Sequence, residues 1–266
     1  MKRMLIFISL ALTFLPPLAS AQTPEEKGLA IAIEADRRNT GFGDSKVKLL
    51  MTLKNRHGQE SRRKMRTRTL EVKGDGDKSL IIFDTPRDVK GTAMLTYSHK
   101  TGDDDQWLYL PALKRVKRIS SSNKSGSFMG SEFSYEDLGS QEVEKYTYKW
   151  LRNEPCPTDE FSQLSCFVLE FYPVDKTSGY TREVVWMDEK DYRTIKIDFY
   201  DRKKSLLKTL ISKNYKKYEG KYWRPLDMEI VNHQNGKSTR LVFEDYQFHS
   251  GLTKRDFTQA SLKRVR

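Results

Sequence analysis

The chain has 266 residues, a formal net charge of +12 and only two cysteines. Nothing after Gln22 is long and apolar enough to make a transmembrane helix, which excludes a helical membrane protein and predicts a soluble mature chain. The length suits one large domain, and all-β domains of that size are common.

The first 21 residues read as a secretory signal peptide. Lys2 and Arg3 give a positive start, residues 4–15 form an apolar run, and Ala19-Ser20-Ala21 is a small-residue cleavage site. The run is about a dozen residues, short of the roughly 20 that a spanning helix needs. Cleavage after Ala21 and export to the periplasm are expected; a retained N-terminal anchor is the alternative. No cysteine follows the site to carry a lipid. Residues 22–266 are expected to form one β domain, with a net charge of +10 once Lys2 and Arg3 are removed from the formal +12.

A helix signal opens that domain. Thr23-Pro24-Glu25-Glu26 supplies a threonine cap, a proline at the first helical position and a glutamate able to bond back. Leu29, Ala32 and Ile33 are expected on one face, and Gly41 can end the helix in a left-handed conformation. The period then changes from helical to alternating. Val47, Leu49, Met51 and Leu53 mark a strand, His57-Gly58 turns the chain, and residues 60–73 return as a polar strand. Short apolar strands are expected at 80–83, 93–97 and 107–110. After a Ser/Gly-rich loop, residues 120–134, they resume at 146–151, 167–172, 184–187, 194–200, 206–215, 226–232 and 241–248. Ile195, Ile197 and Phe199 share one face of a particularly clear strand, and Asn235-Gly236 is a strong hairpin turn. Short helices are expected near 135–138 and 256–262. The fold class is mainly β: a single antiparallel sheet of about ten or eleven strands, curled into an open barrel.

Cys156 and Cys166 are the two cysteines, and in an oxidising compartment they are expected to form a bridge. Clipping so short a loop contributes about 2–3 kcal/mol in the chain-entropy model. There is no Cys-x-x-Cys, and no histidine lies near enough in sequence to suggest a metal site. Nor is there a nucleophile elbow, a phosphate loop or a dinucleotide fingerprint, so neither an enzyme nor a cofactor is expected. Gly126-Ser127-Phe128-Met129-Gly130 puts its serine in the wrong place for such an elbow. Asp103-Asp104-Asp105 lacks the glycine and distal glutamate of an EF-hand and reads as a solvated turn.

Arg62, Lys64, Arg66 and Arg68 are two residues apart, so on a strand they point the same way, about 7 Å from each to the next. Export argues against nucleic acid. An anionic membrane surface or an acidic partner is one reading; an edge strand guarded against aggregation is the other. The apolar inventory also leaves two readings. One long helix is thin cover for so many strands, so large side chains either line an open cavity or fill a closed core. The candidates for such a cavity are Leu49, Met51, Trp107, Tyr109, Phe128 and Met129 from the first half. Phe167, Leu169, Phe171, Trp186, Ile195, Ile197 and Phe199 complete the set.

The stretches Gly91-Thr92-Ala93-Met94-Leu95, Asp105-Gln106-Trp107-Leu108-Tyr109-Leu110-Pro111 and Arg115-Val116-Lys117-Arg118-Ile119 resemble the outer-membrane lipoprotein-sorting protein family. Phe128-Met129-Gly130-Ser131-Glu132-Phe133-Ser134-Tyr135-Glu136-Asp137-Leu138 is the most specific part, and the similarity runs from about Leu29 to Leu262. The resemblance implies the architecture of the periplasmic lipoprotein carrier LolA, an unclosed half β-barrel with a helical lid over an apolar cavity. It also implies a carrier for a lipid, an acyl chain or a lipoprotein, with an RND-type (MMPL-like) inner-membrane exporter as partner. Transient membrane contact and a monomer are expected. Residues 24–40 are the candidate lid and residues 120–134, with Phe128 and Met129, the candidate gate. A periplasmic sensor or adaptor that binds a membrane signalling protein is the alternative function.

Overall fold

The computed structural model describes residues 22–264; the expected signal peptide lies outside the described residues. A single long helix, α1 (Pro24–Asn39), begins the described chain, and the capping box foreseen at Thr23 and Glu26 is formed. Thr40 caps the other end in an extended conformation and Gly41 follows at φ 100°. The buried face of α1 carries Gly28, Ile31 and Ala32, while Leu29 and Ile33 point to solvent. The expected grouping of Leu29, Ala32 and Ile33 is thus corrected by a rotation of the helix about its axis. The cause is local. A Cβ on Gly28 would stand 2.8 Å from the Trp150 backbone nitrogen, so glycine lets the helix seat directly on a strand there.

Six strands follow: β1 (Asp44–Lys54), β2 (Glu60–Leu70), β3 (Lys78–Thr85), β4 (Ala93–Tyr97), β5 (Asp105–Leu110) and β6 (Arg115–Ile119). After residues 120–145 come β7 (Tyr146–Pro155), β8 (Ser165–Pro173), β9 (Tyr180–Asp188), β10 (Thr194–Asp201), β11 (Leu206–Tyr218), β12 (Tyr222–Asn232) and β13 (Ser238–Phe243). The two-residue β14 (Gln247–Phe248) pairs with β1. The sheet has 14 strands, more than the ten or eleven expected, and each pairing is antiparallel. It consists of two meanders. The first runs from β1 out to β6 and the second from β7 back to β13, and they join where β13 pairs with β1. β6 and β7 are the free edges, so the barrel is unclosed.

Strand alternation divides the side chains between two faces. The inner face carries the largest core cluster, including Met51, Met65, Phe83, Leu169, Phe171 and Ile230. Helix α1 and residues 120–145 cover it. On the outer face of β3 and β4, Leu80, Ile82, Ala93 and Leu95 are packed by Leu252, Phe257 and Leu262. These last three come from the C-terminal segment, which ends in the short helix α2 (Gln259–Leu262). A third cluster surrounds the Cys156–Cys166 disulfide, which closes the β7–β8 hairpin over Phe161, Val168 and Trp186. The expected bridge is formed.

Candidate functional site

The inner face is incompletely filled. A cavity of about 1230 Å³ lies between α1, the sheet and residues 120–145. Its walls include Leu49, Met51, Met65, Ile81, Phe171 and Met187, drawn from both meanders. Its mouth opens at the C-terminal end of α1, among Arg37, Asn39, Lys73, Gly74, Gly220 and Lys221. A second cavity of about 700 Å³ is lined by Ile197, Phe199, Leu210 and Ile230. The two adjoin, since Phe133, Asp137, Tyr215, Pro225 and Met228 border both.

Of the candidates read from sequence, Leu49, Met51, Phe128 and Phe171 line the larger cavity, and Ile197 and Phe199 line the smaller. Leu169 is buried in the inner-face cluster, and Phe167 and Met129 pack against it. Four are placed elsewhere, and their expected position is corrected. Trp107 and Tyr109 alternate with inward Gln106 and Leu108, so they project from the outer face beside the C-terminal segment. Trp186 lies between inward Val185 and Met187 and joins the disulfide cluster instead. Ile195 joins that same cluster, because a register shift between Thr194 and Lys196 takes it out of step with Ile197 and Phe199. The residues that sequence reasoning missed are smaller or flanked by charge. Met65, for example, faces inwards between outward Lys64 and Arg66, and its pairing with Leu49 and Phe83 is what identifies its face.

The C-terminal end of the helix, at the mouth, is tied down by polar contacts. Glu71 accepts from the backbone N–H of Gly41 (2.6 Å) and of Gly43 (2.8 Å). Lys221 donates to the Thr40 carbonyl at 2.6 Å and Arg38 to the Lys190 carbonyl at 2.8 Å. Arg224 donates to Asn39 Oδ1 at 2.7 Å, and burial lowers the pKa of its guanidinium. Toward the N-terminus, Lys27 sits over the Trp150 ring at 3.5 Å. The expected lid, 24–40, is thus a helix held to the sheet by polar contacts around a small apolar face.

Residues 120–145 cross the inner space from edge to edge. Phe128 is fully buried against Phe83 and Tyr135. Arg63 donates to the Met129 carbonyl at 2.6 Å, and Thr239 Oγ1 accepts from the Glu132 N–H at 3.0 Å. A buried polar network fixes the same segment. Lys208 Nζ donates to Asp137 Oδ2 at 2.6 Å and to the Glu132 carbonyl at 3.0 Å, and the Tyr180 hydroxyl donates to Asp137 Oδ1 at 2.7 Å. Each of these bonds satisfies a group that would otherwise be costly to bury.

Glu183 stands apart within this network. It is fully buried, and the Tyr146 hydroxyl donates to it at 3.2 Å. Burial, reinforced by Asp137 and Glu136, pushes its carboxyl up to about 8, so it is mostly neutral at pH 7. Asp77 near the mouth is pushed up to about 7 by burial and by the neighbouring Glu142 and Glu71. The interior therefore presents an apolar wall interrupted by carboxyls that tend to hold their protons. No group of three His, Cys, Asp or Glu suited to a metal is found among the described residues.

An unclosed antiparallel sheet with a helix over an internal cavity has close counterparts. A domain from Vibrio parahaemolyticus described as an outer membrane lipoprotein-sorting protein is 57% identical, with a TM-score of 0.87. The match covers 90% of this chain and 100% of that one. The chain belongs to the outer membrane lipoprotein-sorting family. A family model described as "Uncharacterized protein" matches residues 75–264. A DUF1329 family protein from Desulfovibrio piger is 31% identical over 90% of this chain and 99% of its own, with a TM-score of 0.83. A LolA superfamily protein from Nitrosomonas europaea, 20% identical, shares the fold with a TM-score of 0.69 over 88% of this chain and 98% of its own. No curated protein matches the chain. The family members with solved structures thus share this curled sheet, and in this chain its inner face encloses the larger cavity under α1.

Proposed function

We propose that this protein is a periplasmic carrier that holds a lipid, an acyl chain or an acylated lipoprotein in the cavity under α1. The observation that carries the reading is the cavity itself. At about 1230 Å³ it exceeds the roughly 300–1,000 Å³ of ordinary small-molecule sites. Apolar side chains from both halves of the sheet line it, Leu49, Met51 and Ile81 from one and Phe171, Met187 and Met228 from the other. Removing each acyl methylene from water is worth about 0.8 kcal/mol, so only an apolar space can compete with a bilayer for such cargo. Leu49, Met51, Phe128, Phe171, Ile197 and Phe199 would contact the chain, and the neutral state of Glu183 keeps the deeper wall from repelling it. The activity is binding and handover, with no chemical step.

Handover needs a cover that opens at a cost of a few kcal/mol. The polar ties of Glu71, Lys221 and Arg38 near the end of α1 suit that role, since charged contacts open to solvent exchange readily with water. The supplying or receiving partner we propose is an RND-type (MMPL-like) inner-membrane exporter, with the carrier acting as a monomer. Met228 borders both cavities and is half-buried, so Met228→Trp would fill the passage between them. Titration with a fluorescent fatty-acid probe should then show affinity at least about tenfold below that of the natural protein. Unchanged affinity in a folded variant would remove the cavity from the binding role.

A further inference from the structure

The basic stripe of β2 is not on an edge. β2 is hydrogen-bonded on both sides, by β1 and β3, and lies well inside the sheet. Guarding an unpaired edge therefore cannot explain Arg62, Lys64, Arg66 and Arg68. They occupy the face opposite the cavity, because Met65, Thr67 and Thr69 between and beside them line it. The register extends the stripe onto β1. Lys46 stands opposite Arg68, Lys48 opposite Arg66, Leu50 opposite Lys64 and Thr52 opposite Arg62, with Lys54 beyond.

Two of those pairs place like charges directly across the sheet, an arrangement that destabilises it. Anions answer only part of the charge. Arg66 pairs with Asp84 at 3.3 Å and Arg62 with Glu60 at 3.1 Å. Asp256 of the C-terminal segment answers Arg68 and Lys46, and Lys46 donates to the Ser250 carbonyl at 3.3 Å. Lys48, Lys54 and Lys64 form no ion pair among the described residues, and all three are exposed. From Lys46 to Lys54 the charges extend about 27 Å along β1 at about 3.4 Å per residue. That span is too long for one small anion, and neither of the two cavities described above is lined by these side chains. Half-buried Leu50, and Val242 at 39% exposure beside it on β13, interrupt the cations with aliphatic surface.

We infer that the outer face of β1 and β2 docks the protein on an anionic lipid bilayer, through the exposed Lys48, Lys54 and Lys64. A diffuse, laterally mobile sheet of negative charge matches cations spread over two strands better than a fixed constellation of carboxylates does. Docking by this face leaves α1 and the cavity mouth uncovered, free for a protein partner. It operates whether or not the cavity is loaded, so its failure would leave the carrier reading intact.

The test is sedimentation of the full exported chain with vesicles of phosphatidylcholine alone or with 30% phosphatidylglycerol. Binding should require phosphatidylglycerol and fall steeply as salt is raised. The double variant Lys48→Glu/Lys64→Glu should weaken it at least about tenfold. Lys176→Glu/Lys203→Glu, the same charge change in exposed turns of the other half, should weaken it far less. A matching circular-dichroism melt establishes that each variant is folded. Equal binding to neutral vesicles, or equal loss in both variants, would overturn the inference. So would binding to polyglutamate without binding to phosphatidylglycerol vesicles, an outcome that would assign the face to an acidic protein.

Discussion

The two faces of this sheet are covered by the same means, chain segments laid across strands, with opposite results. On the outer face the C-terminal segment buries Phe257 and Leu262 completely against Leu80, Ile82, Ala93 and Leu95. On the inner face α1 contributes only Gly28, Ile31 and Ala32 as buried residues, and cavities of about 1230 and 700 Å³ remain. The difference lies in what each cover brings. Leu252, Phe257 and Leu262 are large apolar plugs packed on the strands, whereas the helix brings Ile31 with the small Gly28 and Ala32 and has polar ties at its end. A filled core and an open cavity, the two readings left by the sequence, coexist on opposite sides of one sheet.

The comparison can be broken most strongly by truncating one side chain under each cover. Phe257→Ala should cost about 3–5 kcal/mol in urea unfolding, the range for deleting a fully buried ring. Phe243→Ala, whose half-buried ring already borders the larger cavity, should cost well under half of that. Equal losses would mean that the inner face is packed as tightly as the outer.

Glu183 sharpens the comparison through pH. Its folded carboxyl is raised to about 8 from an ordinary 4.5, so the folded protein keeps a proton that the unfolded chain releases. Stability should therefore fall as pH rises from about 4.5 to about 8, by up to about 5 kcal/mol for this group, and level off above. Glu183→Gln should remove that part of the slope, read as urea midpoints between pH 5 and 9. A variant with the slope of the natural protein would place the proton elsewhere.

A smaller effect is expected at the cover itself. Gly28→Ala puts a Cβ 2.8 Å from the Trp150 backbone nitrogen and 2.9 Å from that of Lys149. The helix must move off β7, at about 1–3 kcal/mol. Release of a bound fluorescent fatty acid, followed by stopped flow, should quicken; an unchanged rate would take α1 out of the exit path.

Much of the fold was legible because alternation is local. Leu49 and Met51 on β1, Ile197 and Phe199 on β10, and the turn at Asn235-Gly236 are where their sequence patterns place them. What was not legible depends on neighbours far along the chain. The pairing of β13 with β1 makes β2 an inner strand, which turns Arg62 to Arg68 from an edge guard into a charged face. Trp107 and Tyr109 were chosen for size, whereas their face is set by register with β4 and β6. Lys208, Asp137 and Glu183 are charged residues in the interior, and in a sequence they look like surface. Only their meeting across β9, β11 and the 120–145 segment reveals the network.

Whether the inner cavity holds cargo is decided first by native mass spectrometry of the protein purified from cells expressing the full chain, followed by solvent extraction. A carrier should show a co-purifying lipid or acylated peptide that is lost on extraction and taken up again when added back. A clean protein mass, with no uptake of added lipid or of an apolar fluorescent probe, would contradict the carrier reading.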